Sequence, residues 1–350
     1  ATAYGNQYAI LPPIDNTVQQ MSDMKLELDA SASSATITFN LAVGVMTDYT
    51  DASTFVPVDT ISVYGNVYQT FSVDFSNYTG TGKYVTLKAY KGTASNIGYV
   101  EDLVLGDQNM LLKPDNLTAS NATESTIDLT WRENGTATEW VIEYGGSGFA
   151  LGTGTTVQVS QSNTTTIVGL LPGKNYDFYV RATDANGNFS NYSRVCSAAT
   201  ACALLSSLPF EENFDSWPGS TSGSTNNLPM CWNHLCIGST SSSYNGYPIV
   251  YNSTTYSNTG ANSLRFYSYT SGSTCYGNQY AILPRIDVQA HPINTLQLTF
   301  NASRYSTYSA TLQVGVMTDP TQDNTFTLVQ TISIPSTSPA EYNEYTVSFA

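Results

Sequence analysis

The sequence predicts an all-β protein built from sandwiches or jelly rolls. Apolar and polar residues alternate over short runs, as at Leu41, Val43 and Val45 and again over residues 71–75. A period of two is typical of a strand with one buried face. Clusters of Ser, Thr, Asn and Gly separate these runs, as turns between strands require. No stretch with a helical period exceeds two turns, so helices are not expected.

Composition excludes several classes of function. The chain has 350 residues, long enough for two or three domains, with 12 Lys and Arg against 27 Asp and Glu. A net charge of −15 argues against nucleic-acid binding, which needs cations to neutralise phosphates. No apolar run approaches the roughly 20 residues that span a bilayer, so no membrane-spanning segment is expected. Only two His are present, which limits acid–base and metal chemistry.

An internal repeat is the strongest pattern in the chain. Residues 4–11 read YGNQYAIL, and residues 276–283 repeat them letter for letter, each followed by Pro. Further along, GVMTD occurs at 44–48 and again at 315–319. Identity of this length predicts two copies of one β module.

The two copies are cut in complementary ways. Copy one covers residues 1–108 and has no counterpart of 208–275, whereas copy two covers 208–350 and has no counterpart of 77–108. We therefore expect an internal piece of a longer protein, with one incomplete module at each end. An incomplete sheet has an unpaired edge strand, so we also expect the chain to self-associate or to be partly molten.

A different unit, residues 112–200, lies between the copies. Trp131 lies on a predicted strand, and Tyr176 follows the turn sequence Leu171-Pro-Gly. These positions resemble the core Trp and the tyrosine corner of a fibronectin type III domain. The resemblance implies an immunoglobulin-like sandwich in which both side chains are structural.

The order of short motifs in the flanking copies carries a second resemblance. Copy two opens with LPFEENFDS at 208–216 and continues with LPMCW at 228–232, and copy one closes with GYVEDLVL at 98–105. This order resembles the jelly-roll repeats of Bacteroidetes surface adhesins, the cleaved-adhesin or MAM-like modules of haemagglutinins and gingipain-type proteases. The resemblance implies a secreted or outer-surface protein in which such modules alternate with fibronectin type III domains.

Carboxylates at the start of one copy and the end of the other form a candidate metal site. Glu211, Glu212 and Asp215 begin copy two, and Glu101 and Asp102 lie near the end of copy one. First and last strands of a jelly roll are neighbours, and clustered carboxylates suit calcium. The adhesin resemblance likewise implies structural calcium. Because each copy has only half of the set, we expect calcium binding only in a domain that joins 208–350 to 77–108. The alternative is a set of solvated residues at strand edges.

The cysteines favour disulfide bonds over a metal site. They lie at Cys196, Cys202, Cys231, Cys236 and Cys275. The segment containing Cys231, His234 and Cys236 could suggest zinc, but its spacing is not that of a zinc knuckle and no second pair lies nearby. We expect Cys231 and Cys236 to be structural, with a pairing that the sequence leaves open.

Tyrosines crowd one segment of copy two. Tyr244, Tyr247, Tyr251 and Tyr256 could stack on sugar rings while nearby Asn and Ser bind hydroxyl groups. The alternative is that these rings pack the sandwich.

The sequence therefore predicts a binding region of a bacterial surface adhesin without enzyme activity of its own. Glycans or host surface and matrix proteins are the expected partners. Two alternatives stay open: a substrate-docking arm of a larger secreted hydrolase, and a structural stalk.

Overall fold

The computed structural model describes residues 5–90, 97–224, 226–268, 270–271, 274–305, 310–335 and 341–350. These residues form β-strands and short 3₁₀ turns and contain no α-helix, which confirms the all-β prediction. No helix among them is long and apolar enough to cross a membrane. The chain divides into two compact units, Ala1–Thr200 and Ala201–Ala350.

The first part of the N-terminal unit is a sandwich of two antiparallel sheets. Its strands are β1 (Gln7–Ile10), β2 (Met24–Ala32), β3 (Thr38–Met46), β4 (Val56–Tyr64), β5 (Gln69–Asp74), β6 (Tyr84–Ala89) and β7 (Gly98–Asp107). One sheet has the order β1-β6-β3-β4 and the other β5-β2-β7. Alternate residues of both sheets meet in one core, where Leu26, Leu28, Val43, Val45 and Phe75 are fully buried.

Strand β2 is buried on both of its faces. Leu26 and Leu28 point into the core, while Glu27 and Asp29 alternate with them and are also buried, with exposures of 2% and 1%. The pairing of β2 with β7 shifts between Glu27 and Asp29, and Asp102 opposite this shift has a φ of 49°. This bulge changes the direction of the carboxylate side chains of β7. The polar face of β2 lies against Lys113, which follows the sandwich in the chain.

The second part of the N-terminal unit is a seven-stranded sandwich. Its strands are β8 (Asp115–Ser120), β9 (Thr126–Arg132), β10 (Glu139–Gly146), β11 (Thr155–Ser160), β12 (Thr164–Val168), β13 (Asn175–Thr183) and β14 (Cys196–Ala199). The sheets have the orders β11-β10-β13-β14 and β12-β9-β8. Trp131 and Trp140 pack edge to face in the core with ring centroids 5.6 Å apart. The Tyr176 hydroxyl accepts a hydrogen bond from the Leu171 N–H at 2.9 Å, which ties the preceding turn to β13.

The C-terminal unit consists of strand pairs. Its strands are β15 (Asn233–Ile237), β16 (Ile249–Asn252), β17 (Asn262–Arg265), β18 (Thr270–Ser271), β19 (Thr274–Cys275), β20 (Asn278–Ile282), β21 (Gln297–Ala302), β22 (Ala310–Val316), β23 (Thr327–Ile334) and β24 (Asn343–Ser348). The pairs are β15-β20, β16-β17, β18-β19, β21-β24 and β22-β23. A disulfide bond joins Cys202 to Cys231.

The sequence repeat is also a repeat of local structure. Strands β3 and β22 each carry a bulge, between Val43 and Gly44 in one and between Val314 and Gly315 in the other. A Cβ on either glycine would lie 2.3 Å from a backbone oxygen of the neighbouring strand. The turn that follows is held in both copies by one aspartate, which accepts hydrogen bonds from the amide and hydroxyl of the threonine two residues later.

The two copies differ in how well this shared core is covered. Strand β3 lies between β4 and β6, whereas among the described strands β22 pairs only with β23. Val45 on β3 is fully buried, but Val316, its counterpart on β22, is only half-buried. Leu28 and its counterpart Phe300 show the same contrast. The strands described in the C-terminal unit thus cover less of the core, because none of them takes the places of β6 and β7.

Candidate functional site

Half of the predicted tyrosine site is a packed cluster of rings. Tyr244 stacks on Tyr276 with centroids 3.8 Å apart, and Tyr267 meets Tyr244 and Tyr247 edge to face. Tyr247 is only 2% exposed, and burial raises the pKa of its hydroxyl. Tyr244 and Tyr247 therefore pack the C-terminal unit, as the alternative interpretation of the sequence proposes.

The other half of the predicted site lies beside more open rings. Tyr251 is on β16, and Tyr256 follows in the turn after it; both are half-buried. The Tyr256 ring lies 5.1 Å from that of Tyr305, which is 63% exposed. The Tyr342 hydroxyl donates a hydrogen bond to the Tyr256 carbonyl oxygen at 2.7 Å, which holds the turn in place. These contacts present aromatic surface at the outside of the unit.

An arginine that the sequence analysis missed lies among these rings. The guanidinium carbon of Arg265 lies 4.3 Å from the ring centre of Tyr251 and 5.8 Å from that of Tyr305. It also lies 5.0 Å from the ring of Tyr267. The β16–β17 pairing sets Arg265 opposite Ile249, two residues from Tyr251 on the same face. We call Tyr251, Tyr256, Arg265 and Tyr305 the Tyr–Arg surface. The sequence feature that could have pointed to Arg265 is its position at the end of a strand within a tyrosine-rich segment.

The predicted carboxylates of copy one are paired with cations of the same unit. Lys113 Nζ lies 2.8 Å from Asp29 and 3.3 Å from Asp102. Arg194 pairs with Glu101 and lies 3.3 Å from Asp29. Lys113 is 2% exposed, so this ion-pair cluster shields the polar face of β2 from solvent. Sequence analysis missed it because Arg194 is distant in the chain from the residues that it meets.

Burial and pairing act in opposite directions on this cluster. Burial lowers the pKa of Lys113, but the hydrogen bonds and charges of Asp29 and Asp102 outweigh it and leave that pKa raised. Burial raises the pKa of Glu27, and a hydrogen bond from the Lys113 backbone N–H at 2.6 Å lowers it by less. The cluster therefore keeps its lysine charged.

The predicted carboxylates of copy two hold the backbone of their own unit. Glu212 accepts hydrogen bonds from the Phe214 N–H and the Trp217 indole. Asp215 accepts hydrogen bonds from the N–H groups of Ala261 and Asn262. Asn262 is the first residue of β17, and Ala261 precedes it. Glu211 is exposed.

These residues do not fit calcium as they stand. Glu101 and Asp102 face cations, and Glu212 and Asp215 are used by N–H groups within their unit. Within the part of the chain that the structure describes, no three His, Cys, Asp or Glu side chains group as metal ligands. The calcium prediction concerns a domain that joins both halves, and it stays a prediction.

The zinc interpretation of residues 231–236 is wrong for this structure. Cys231 is in the disulfide with Cys202, with Cα atoms 5.6 Å apart, and so offers no thiolate. His234 Nε2 lies 3.3 Å from the Asn245 carbonyl oxygen, and Cys236 Sγ lies 3.2 Å from that of Tyr276. These contacts are structural.

Comparisons with known proteins identify a family for the central sandwich and a relative of part of the chain. Residues 112–198 match the family model described as Fibronectin type III domain. Chitinase A1 of Niallia circulans is 28% identical over 200 residues, which are 55% of this chain and 27% of that protein. The chain thus spans little more than a quarter of that relative.

Solved fibronectin domains cover a similar share of the chain. The FN5 domain of Drosophila Lar is 19% identical, covers 27% of this chain and all of its own, and has a TM-score of 0.24. The fn3 domain of human collagen alpha-1(XX) is 22% identical, covers 31% of this chain and 98% of its own, and has a TM-score of 0.25. The family match establishes the assignment: this chain contains a fibronectin type III domain at residues 112–198.

Proposed function

We propose that this chain is a non-catalytic region of a secreted or cell-surface protein that binds carbohydrate. The Tyr–Arg surface is the observation that carries the proposal. Exposed tyrosine rings stack on the apolar faces of sugar rings, and their hydroxyl groups bind sugar hydroxyls. Tyr305 offers one exposed ring on the C-terminal unit, and the half-buried ring of Tyr256 lies beside it.

Two features support an exported protein. The Cys202–Cys231 disulfide suits an oxidising compartment outside the cytoplasm. The relative from Niallia circulans is named as a chitinase, an enzyme that acts on a polysaccharide. That relative and the fibronectin type III domain fit an accessory region of an extracellular carbohydrate-active or carbohydrate-binding protein.

A surface adhesin is the first candidate for the parent protein. In that case glycans or host surface and matrix proteins are the partners, as the order of the short motifs in both copies implies. The likeness to a chitinase supports a second candidate, a substrate-docking arm of a secreted hydrolase. Carbohydrate binding by this chain without turnover is compatible with both candidates.

Both histidines make contacts to the backbone. His234 Nε2 and His291 Nε2 each lie within hydrogen-bond distance of a backbone carbonyl oxygen.

A glycan array with the full 350-residue chain tests the proposal. We expect binding to a subset of saccharides, and Tyr305→Ala should weaken that binding about fivefold because one exposed stacking ring is removed. Tyr64→Ala is the matched control, since Tyr64 is 60% exposed on the other unit. Binding to no saccharide, equal losses in both variants, or hydrolysis of a bound glycan would each overturn the proposal.

A further inference from the structure

Arg265 is a cation without a carboxylate partner among the described residues. The chain has 27 acidic residues against 12 Lys and Arg, so an acidic partner would be easy to supply. The ion pairs that the described residues form all lie within residues 29–194 of the N-terminal unit. Arg265 instead has tyrosine rings around it.

The rings hold the guanidinium group without using its hydrogen-bonding capacity. Cation–π contacts attract the charge to the ring faces but accept none of the five N–H donors of an arginine. No described protein atom accepts a hydrogen bond from the Arg265 side chain. A half-buried guanidinium group with open donors is suited to a ligand that brings its own acceptors.

The shape of these donors selects the kind of acceptor. A planar guanidinium fork pairs through two parallel hydrogen bonds with an oxyanion such as a carboxylate, the group that acidic sugars carry. The rings of Tyr251 and Tyr305 lie 4.3 Å and 5.8 Å from the guanidinium carbon, near enough for a sugar ring attached to the carboxylate to stack on one of them.

We propose that the Tyr–Arg surface recognises saccharides that carry a carboxylate, such as uronic or sialic acid residues, with Arg265 as the carboxylate-binding residue. This inference rests on the proposed carbohydrate-binding function and narrows it to an acidic ligand.

Matched ligand pairs test the inference with the full chain. Titration calorimetry compares trigalacturonate with its methyl ester, and sialyllactose with lactose, so that each pair differs mainly in the carboxylate. We expect one acidic member to bind about tenfold more tightly than its neutral partner. Arg265→Gln should abolish this preference, and Arg265→Lys should retain only part of it because the fork is lost.

Arg285→Gln is the control for loss of one positive charge, because Arg285 is exposed on the same unit. It should leave the preference unchanged. Thermal melting checks that each variant is folded. If Arg265→Gln does not fold, Arg265→Lys replaces it in the test, because lysine keeps the positive charge and lacks the fork.

The possible results separate the two proposals. Equal binding of the acidic and neutral members, or a preference that Arg265→Gln leaves unchanged, overturns the inference and leaves the proposed function standing. A sulfated saccharide titrated in the same way also overturns it if this ligand binds more tightly than both carboxylates. Binding of no saccharide overturns the proposed function and this inference together.

Discussion

Lys113 shows how one buried cation decides the role of several carboxylates. It lies over the polar face of β2, where Asp29 is 1% exposed, and its ammonium group reaches Asp29 and Asp102. A buried carboxylate without a partner is strongly unfavourable, so the pair is required even though its net contribution to stability is small. Because Asp102 pairs with Lys113, its carboxylate is not free to act as the predicted calcium ligand in this chain.

Removal of this cation is the first prediction. Lys113→Ala should lower the free energy of unfolding by about 3 kcal/mol, because the buried Asp29 then keeps the more distant Arg194 as its cation and the Thr70 hydroxyl as a neutral donor. Lys174→Ala, at an exposed position of the same unit, is the control and should cost less than about 0.5 kcal/mol. Urea unfolding followed by fluorescence measures both, and equal losses would contradict the prediction.

Asp177 gives a pH dependence at the residue scale. Hydrogen bonds from Ser197 and the Gly148 N–H hold the pKa of this carboxyl below its ordinary value of 3.8. A lowered pKa in the folded state contributes stability above the unfolded-state pKa, which is lost as pH falls through the folded-state pKa.

Asp177→Asn should therefore be less stable than the natural chain at pH 7, and the difference should shrink as pH falls below about 4. Thermal melting across pH 2–7 measures this, with Glu124→Gln as an exposed control. A difference that stays constant with pH would show that the carboxylate charge is not involved.

Glycines at matching bulges show what the repeat conserves at the level of elements. Gly44 and Gly315 lie where β3 and β22 approach the next strand, and a Cβ at Gly44 would lie 2.3 Å from the Val56 carbonyl oxygen. Gly44→Ala should lower the free energy of unfolding by about 2 kcal/mol because backbone must move. Gly146→Ala is the control, since nothing lies within 4 Å of its Cβ position. Similar losses from both variants would contradict a role for the close approach.

The open edge of β22 gives the prediction for self-association. Among the described strands it has one partner, β23, where β3 has two. Sedimentation velocity of the natural chain should show mass rising with concentration, and Gln313→Lys should reduce that rise because a charge on an edge strand opposes pairing. Thr254→Lys adds the same charge in a turn and should have no effect. A monomer at all concentrations would contradict the prediction.

At the scale of the whole molecule, the division of the carboxylates between two half-modules of the sequence affects the predicted calcium binding. In this chain Glu101 and Asp102 face Lys113 and Arg194. A domain that joins 208–350 to 77–108 lacks both cations, so these carboxylates become available to meet those of copy two. We expect millimolar calcium to raise the melting temperature of that joined domain and to leave the 350-residue chain unchanged. No shift in the joined domain would overturn the calcium prediction.

The sequence alone determined the fold class, because alternation and turn residues are local properties of the chain. Trp131 and Tyr176 pointed to the central sandwich for the same reason, since their neighbours in sequence carry the pattern. The tertiary structure decided which side chains meet across long separations. Arg194 reaches Asp29 and Glu101, Cys202 pairs with Cys231, and Arg265 lies among tyrosines. Contacts of this kind depend on strand pairing and packing, which bring distant residues together without leaving a periodic mark in the sequence.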